Sequence, residues 1–517
     1  MRKLYFLFLM ALAMPLAMQA QNSPQILKSE IFKDSSKESY IVYAKEDGTG
    51  GFYIVRMFKS GIIASPSGYY MEHYDKNLKL IKDFEYAPEF HAYEKYKTLI
   101  GVVSGQDQIH LIDIQYNIKE KAYLCLAHSA NVSDFKFSTR ELFRLDKEAI
   151  GKWGKLSLDG LFFSSVSTLN ESSNVAFITD DAKSAFAIAL NLKTQDKKTL
   201  MLYTFDNDLN KKLEHAYVRD VKSKHYIFKN IDIADGGNSA YLMGAVHLEE
   251  NNRKTFTYEI THITNEGEKT EFVRNEKPYR ESLKMLRVDN RLVLAGFYSE
   301  ENAKWYTGVS YFEIDPVALK TVKIKHTPFS EQLLQGKQRT PWWQPKIFKP
   351  LVFKNFIVTE DKGLIINAEE YYITNNNNNT YYNSDDIISA SINKDGETLW
   401  VSNIDKEKYT QYESDLPFIS YTPAYDNKTV RYFINTADEV KNLDDGTIQF
   451  RHKGKNRSNL TMVTIGENGT MDYKTLLSND DSDVPFMTAN GIVLPKAIFF
   501  MGRKGSKKQL LRVDLSK

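Results

Sequence analysis

NSAYLMGAVHLEENNRKTFTYEITHITNEGEKTEFV, residues 238–273, is the stretch from which the fold can be read. A continuous apolar run, Ala240 to Leu248, gives way to Glu249, Glu250, Asn251 and Asn252. Alternation follows, with Phe256, Tyr258, Ile260 and His262 on one side and Thr255, Thr257, Glu259 and Thr261 on the other. Asn265-Glu266-Gly267 has turn chemistry, and residues 270–273 return. A strand covered on both faces reads as an unbroken apolar run, whereas a strand with one covered face alternates. The stretch predicts three consecutive antiparallel strands, the first buried on both faces and the next two more exposed.

Related units recur. Turns rich in Asp, Asn and Gly precede buried runs that end in Gly: DGGNSAYLMG at 235–244, DNRLVLAG at 289–296 and, more loosely, NGIVLPKAIFFMG at 490–502. Hairpins turn at Asp75, Asn117, Asp206, Asn265, Asp315, Asp395 and Asn468. Units of about 40–80 residues with this design predict propeller blades with insertions. The expected fold is all-β: a single β-propeller of seven or eight four-stranded antiparallel blades. The last unit lacks a strand, and the segment from Ile26 to Phe32 is placed to supply it, closing the ring by pairing of N- and C-terminal strands. The alternative is two stacked sandwiches or two smaller β domains. Two segments break the rhythm. Leu142, Leu145 and Ala149 share a helical face, which predicts a helical turn over 140–149. Residues 330–348, with Gln338-Arg-Thr-Pro-Trp-Trp-Gln-Pro, read as a short helix and an irregular insertion.

Of 517 residues, 42% are hydrophobic and 13% aromatic, enough for a sizeable core rich in strand formers. Residues 1–20 have a charged start (Arg2, Lys3), an apolar stretch and a small residue at Ala20, the pattern of a secretory signal peptide. That predicts export to the periplasm or the extracellular space, leaving residues 21–517 as one propeller-like domain. No later run is long enough to cross a bilayer. The chain carries 68 Lys and Arg against 66 Asp and Glu; without Arg2 and Lys3 the balance is 66 to 66. Such neutrality gives no support to a nucleic-acid or anionic-membrane partner. The single cysteine, Cys125, sits in the apolar run from Ala122 to Ala127 and reads as a small buried strand residue.

The ten histidines form no H-E-x-x-H pair or close His/Cys cluster, and His110 and His262 read as packed strand residues. Asp206-Asn-Asp-Leu-Asn210 opens like a calcium loop, but Lys211 stands where glycine is needed and Tyr217 where glutamate is needed. Asn479 to Asp483 and Asp444-Asp445-Gly446 read as turns. No G-x-S-x-G elbow or phosphate-binding glycine loop is present. No metal, cofactor or catalytic residue is therefore expected. Aromatics are the more suggestive feature. Trp342 and Trp343 lie in a proline-flanked loop, while Tyr371, Tyr372, Tyr381 and Tyr382 flank the asparagine run 375–379. Exposed aromatics beside amides stack on sugar rings or anchor a protein partner; the structural alternative makes the tyrosines cross-strand partners in one long hairpin.

GFYSEENAKWYTGVSYFEIDPVALKTVKIKHTPFSEQLL (296–334) and AEEYYITNNNNNTYYNSDDIISASINKDGETLWV (368–401) resemble a family of secreted, uncharacterised propeller-like proteins of Bacteroidota. The resemblance covers most of the chain after the leader and is strongest from about Leu161 onward. It implies export and an all-β fold, and it brings no functional residues. The loop at 335–348 is less highly charged than that family's corresponding segment. The expected function is a non-enzymatic scaffold that binds a protein or glycan at the cell envelope through Trp342, Trp343, Tyr371, Tyr372, Tyr381 and Tyr382. The alternative is a glycan- or peptide-directed hydrolase with carboxylates gathered in the central channel.

Overall fold

In the computed structural model, residues 238–273 form the expected strands, Ser239–Glu250, Arg253–Thr264 and Gly267–Val273. They pair in sequence, with Tyr241 opposite His262 and Thr261 opposite Thr270. A fourth strand, Tyr226–Ala234, precedes them and completes one antiparallel sheet. Residues 240–246 are buried throughout, because this second strand has a strand on either side within its sheet and a neighbouring sheet on each face. The structure describes residues 24–34, 38–59, 66–87, 94–146, 175–180, 182–193, 198–219, 226–250, 253–273, 280–300, 306–331, 333, 351–376, 379–437, 440–442, 448–450 and 458–515.

The same unit repeats around a ring. Among the described residues, seven sheets are four-stranded, and one is wider but built on the same four-stranded core. In chain order the blades occupy residues 38–86, 94–146, 175–219, 226–273, 280–328, 351–406, 422–477 and 492–514, the last sheet being completed by Ile26–Lys28. Apolar clusters fill each gap between consecutive blades, and the first cluster joins blade 8 to blade 1 and blade 2. First strands line the axis and grip one another: Asn230 of blade 4 donates to Met285 O and accepts from Met285 N of blade 5, at 2.7 and 3.0 Å. Fourth strands face outward, so Leu80, Ile81, Val218, Phe272, Val322 and Leu399 are exposed on them. Blade 6 gains its extra width from blade 7. Ile448–Phe450 pairs in parallel with Thr398–Lys406, and Val440–Asn442 pairs with Ile448–Phe450.

Closure follows the expectation. Ile26 pairs with Val513, Leu27 with Arg512 and Lys28 with Leu511, and an isolated bridge joins Phe32 to Lys508. The N-terminal strand thus supplies the outer strand of blade 8, leaving no unfilled position in that sheet. Phe52 of blade 1 meets Phe499 of blade 8 edge-on, with ring centroids 4.7 Å apart.

The turns between third and fourth strands share a chemistry beyond their Asx content. Asp75, Asp206 and Asp315 each accept two backbone N–H groups through Oδ1, which closes the turn. A bulky residue then adopts a left-handed conformation: Leu78 (φ 61°), Leu209 (φ 64°) and Leu319 (φ 60°), with Phe135 (φ 56°) in blade 2. Each of these side chains is buried between blades. Left-handed backbone costs such a residue about 1–2 kcal/mol, and burial of the side chain returns about 1.5–3 kcal/mol.

The glycines ending the buried runs have a steric cause. A Cβ on Gly244 would lie 2.1 Å from the Tyr226 hydroxyl, and one on Gly296 would lie 2.0 Å from the Ser282 carbonyl oxygen. Neither contact leaves room for a methyl group. Because Ser282 O belongs to backbone in the ladder, Gly296→Ala is expected to cost about 1–3 kcal/mol. Urea denaturation measures this, and a loss under about 0.5 kcal/mol would show that the strand pair yields.

One expectation is corrected. Residues 140–146 belong to a strand, Phe137–Asp146, and are not helical. It is an outer strand whose exposure alternates only toward its end, where Phe143 and Leu145 point inward two residues apart. The spacing of Leu142 and Leu145 is incidental; residue 149 lies outside the described residues. The turn at Asn117 joins the second and third strands of blade 2, while the turn equivalent to Asp75 starts at Asn131. The insertion at 330–348 lies almost wholly outside the described residues, as does the leader.

Candidate functional site

In a four-stranded antiparallel blade, the turn between second and third strands lies on the same face of the ring as the crossing to the next blade. On that face blade 6 departs from its neighbours. Its second and third strands, Leu364–Asn376 and Asn379–Ile392, run 13 and 14 residues. The first strand, Leu351–Val358, pairs with the second only as far as Glu370. Beyond that point Tyr371 to Asn376 pairs with Asn379 to Ser384, and Lys408–Thr410 adds a third strand beside Ser384, Asn383 and Tyr382.

The register sorts the side chains. Tyr371, Ile373, Tyr382, Ser384, Lys408 and Thr410 share one face; Tyr372, Thr374, Tyr381, Asn383 and Tyr409 share the other. No tyrosine of the flanking pairs opposes another, since Tyr371 faces Ser384, Tyr372 faces Asn383, Tyr381 faces Thr374 and Tyr382 faces Ile373. The long hairpin therefore exists without cross-strand tyrosine pairs. Tyr381 instead meets Tyr409 edge-on, with centroids 5.9 Å apart. Tyr409 is 60% exposed, and Tyr412, just beyond the third strand, is 66% exposed. Neither carries a signal in the sequence, because a three-residue strand remote from the hairpin has no period to read.

Hydrogen bonds hold this platform. The Tyr372 hydroxyl donates to Asp385 Oδ2 and the Tyr382 hydroxyl to Glu413 Oε1, both at 2.8 Å. Asn383 Nδ2 donates to Tyr372 O, Thr374 Oγ1 and Tyr381 O. The bond to Glu413 raises the Tyr382 hydroxyl pKa. Burial first, then the negative charges nearby, pushes Tyr371 up to about 12. Both hydroxyls are thus protonated donors across the neutral range.

Beneath the platform lies a buried ion pair. Lys406 Nζ is 2.7 Å from Glu369 Oε1 and neither side chain touches solvent. Lys406 also donates to Ser384 O, Ser384 Oγ and Ile419 O, while Ser384 Oγ and Ser420 Oγ donate to Glu369 at 2.5 and 2.6 Å. Lys354 approaches Glu369 Oε2 at 3.5 Å. Burial alone would raise the Glu369 pKa, but Lys406 and Lys354 overcome it and bring the value down to about 2.

Trp342 and Trp343 lie outside the described residues, so the structure does not bring them to this platform. Three of the described histidines, His110, His128 and His262, have packing or hydrogen-bonding roles. His110 Nδ1 pairs with Ser129 Oγ at 2.7 Å, and His262 stacks on Tyr241. His128 sits between Asp113 at 2.8 Å and Thr139 at 2.9 Å. Asp206 caps its own turn, and Asn210 Nδ2 donates to it. Cys125 is buried in the core between blades 2 and 3. Among the described residues, no group of three His, Cys, Asp or Glu is placed to hold a metal ion. No described helix is long and apolar enough to cross a membrane.

No family model and no curated protein matches the chain. Among solved structures it is similar to the β-propeller domain of the Trilobed protease from Pyrococcus furiosus, at 9% identity and a TM-score of 0.34, over 87% of this chain and 98% of that one. Prolyl oligopeptidase B from Galerina marginata matches at 9% identity and a TM-score of 0.39, over 90% of this chain and 55% of that one. The WD40 domain of SCAP from fission yeast matches at 8% identity and a TM-score of 0.35, over 95% and 94% of the two chains.

Proposed function

We propose that this protein is an exported, non-enzymatic propeller scaffold that binds an envelope or extracellular protein or glycan through the tyrosine platform of blade 6. The observation that carries the reading is the contact of Tyr381 with Tyr409 on one face of a three-stranded extension that also bears Thr374 and Asn383. Aromatic rings set on paired strands with polar neighbours offer contact area at little conformational cost. Export rests on the leader-like residues 1–20 and on the likeness to secreted Bacteroidota proteins.

The test uses the chain from Gln21 on a glycan array and in parallel capture from envelope extracts, each with wild type and the double variant Tyr381→Ala/Tyr409→Ala. The double variant is expected to lose binding about 10- to 100-fold while keeping its thermal midpoint. Equal binding by both proteins would remove the platform. Trp342→Ala/Trp343→Ala serves as the second pair, and unchanged binding with an intact fold would remove that loop as a contact.

A further inference from the structure

Lys408 is fully enclosed, and its ammonium nitrogen has no hydrogen-bond partner. It lies opposite Ser384 in the register, but Ser384 already serves Lys406 with both its hydroxyl and its carbonyl oxygen. The buried carboxylate at hand, Glu369, is committed as well: Oε1 to Lys406 and Ser384, Oε2 to Ser420 and Lys354. Glu370, the next residue on that strand, is also buried and has an interaction of its own, and four further acids on the packed elements are turned to other groups. Asp385 accepts from Tyr372, Asp386 from Asn403 Nδ2 and Lys406 N, Glu413 from Tyr382, and Asp415 from Ser414. Lys406 and Lys354 thus saturate Glu369, and Lys408 lies within its electrostatic reach without a hydrogen bond to it.

An enclosed donor with no acceptor is costly, and a second cation beside it adds repulsion. Burial first, then the charge of Lys406, pushes the Lys408 pKa well down. A water molecule would satisfy the hydrogen bond but leave the charge imbalance. A small anion would satisfy both and hold Lys408 protonated.

We infer that Lys408 Nζ, flanked by the Lys406–Glu369–Lys354 cluster beneath the tyrosine platform, forms an internal binding site for a small monovalent anion, of the size of chloride or formate. The enclosure excludes large anions. This site is separate from the exposed tyrosine face, although Lys408 and Tyr409 are neighbours in one strand.

The experiment follows thermal unfolding of the chain from Gln21 at constant ionic strength, while sodium gluconate, too bulky to enter, is replaced by sodium chloride or sodium formate. Wild type is expected to show a saturable rise in midpoint, about 2–3 °C once the anion is about 100-fold above its Kd. Lys408→Met and Lys408→Gln are expected to show no rise, the second because it keeps a donor but no charge. Tyr409→Ala, which alters only the exposed face, is expected to keep the full response even where it loses the proposed partner. The inference is overturned by a wild type indifferent to both anions, or by an equal rise in the Lys408 variants.

Discussion

Arg56→Ala is expected to lower stability by about 3–5 kcal/mol, because it strips the partner from buried carboxylates. Arg56 is 2% exposed on the second strand of blade 1. Its Nε and Nη2 hold Glu72 at 2.9 and 2.5 Å, and Nη1 holds Asp34 at 2.7 Å and Ser39 at 2.9 Å. Phe32 and Tyr70 cover the guanidinium, 4.7 and 4.6 Å from its carbon. Asp34 also accepts from Lys508, which is buried on the last strand. Burial would raise the Asp34 pKa, but Lys508 and then Arg56 bring it down. One guanidinium thus ties blade 1 to the N-terminal segment that completes blade 8. Its loss should loosen the closure first, so proteolysis near the N-terminal strand is expected to precede global unfolding. Denaturant titration with timed proteolysis measures both; a loss under about 1 kcal/mol would mean that the network is no stronger than a surface pair.

Glu369→Gln should cost a similar amount, about 3–5 kcal/mol, by leaving Lys406 charged and enclosed with no counter-charge. The double variant Glu369→Leu/Lys406→Met removes both charges and should recover at least half of the loss, since well-packed apolar replacements of buried pairs are often neutral. A double variant as unstable as the single one would place the cost in packing. The same pair predicts acid sensitivity. The Glu369 pKa falls from 4.5 to about 2 on folding. Its stabilisation is therefore complete above about pH 4.5 and is lost as pH falls toward about 2. The acid limb of the stability profile should flatten in Glu369→Gln across that window.

Much of the architecture was legible because it is local. The continuous run at 240–248, the alternation after it and the Asn265–Gly267 turn are written within a few residues of one another, and the strands follow them. The leftover unit at the C-terminus pointed to closure by Ile26 to Phe32 for a simple reason: an open edge must be filled. Locality also explains the error. Two leucines three apart on an outer strand imitate a helix, and an Asx-bearing turn such as that at Asn117 announces a hairpin without saying which two strands of the blade it joins. The left-handed Leu78, Leu209 and Leu319 were a better mark of the repeat, legible only once their shared conformation was seen.

For the site, the chain carried the hairpin tyrosines but not their company. Tyr409 reaches Tyr381 because a three-residue strand returns to the long hairpin, and Lys406 reaches Glu369 because two strands of blade 6 bring them together. Asp34 and Lys508, 474 residues apart, become neighbours through ring closure. The sequence by itself determined what each segment can do alone: alternate, turn, end a run in glycine. Tertiary structure alone decided which enclosed charges meet and that, among the described residues, Lys408 Nζ is left without a hydrogen-bond partner, because burial and pairing are set by the register between strands that no local pattern encodes.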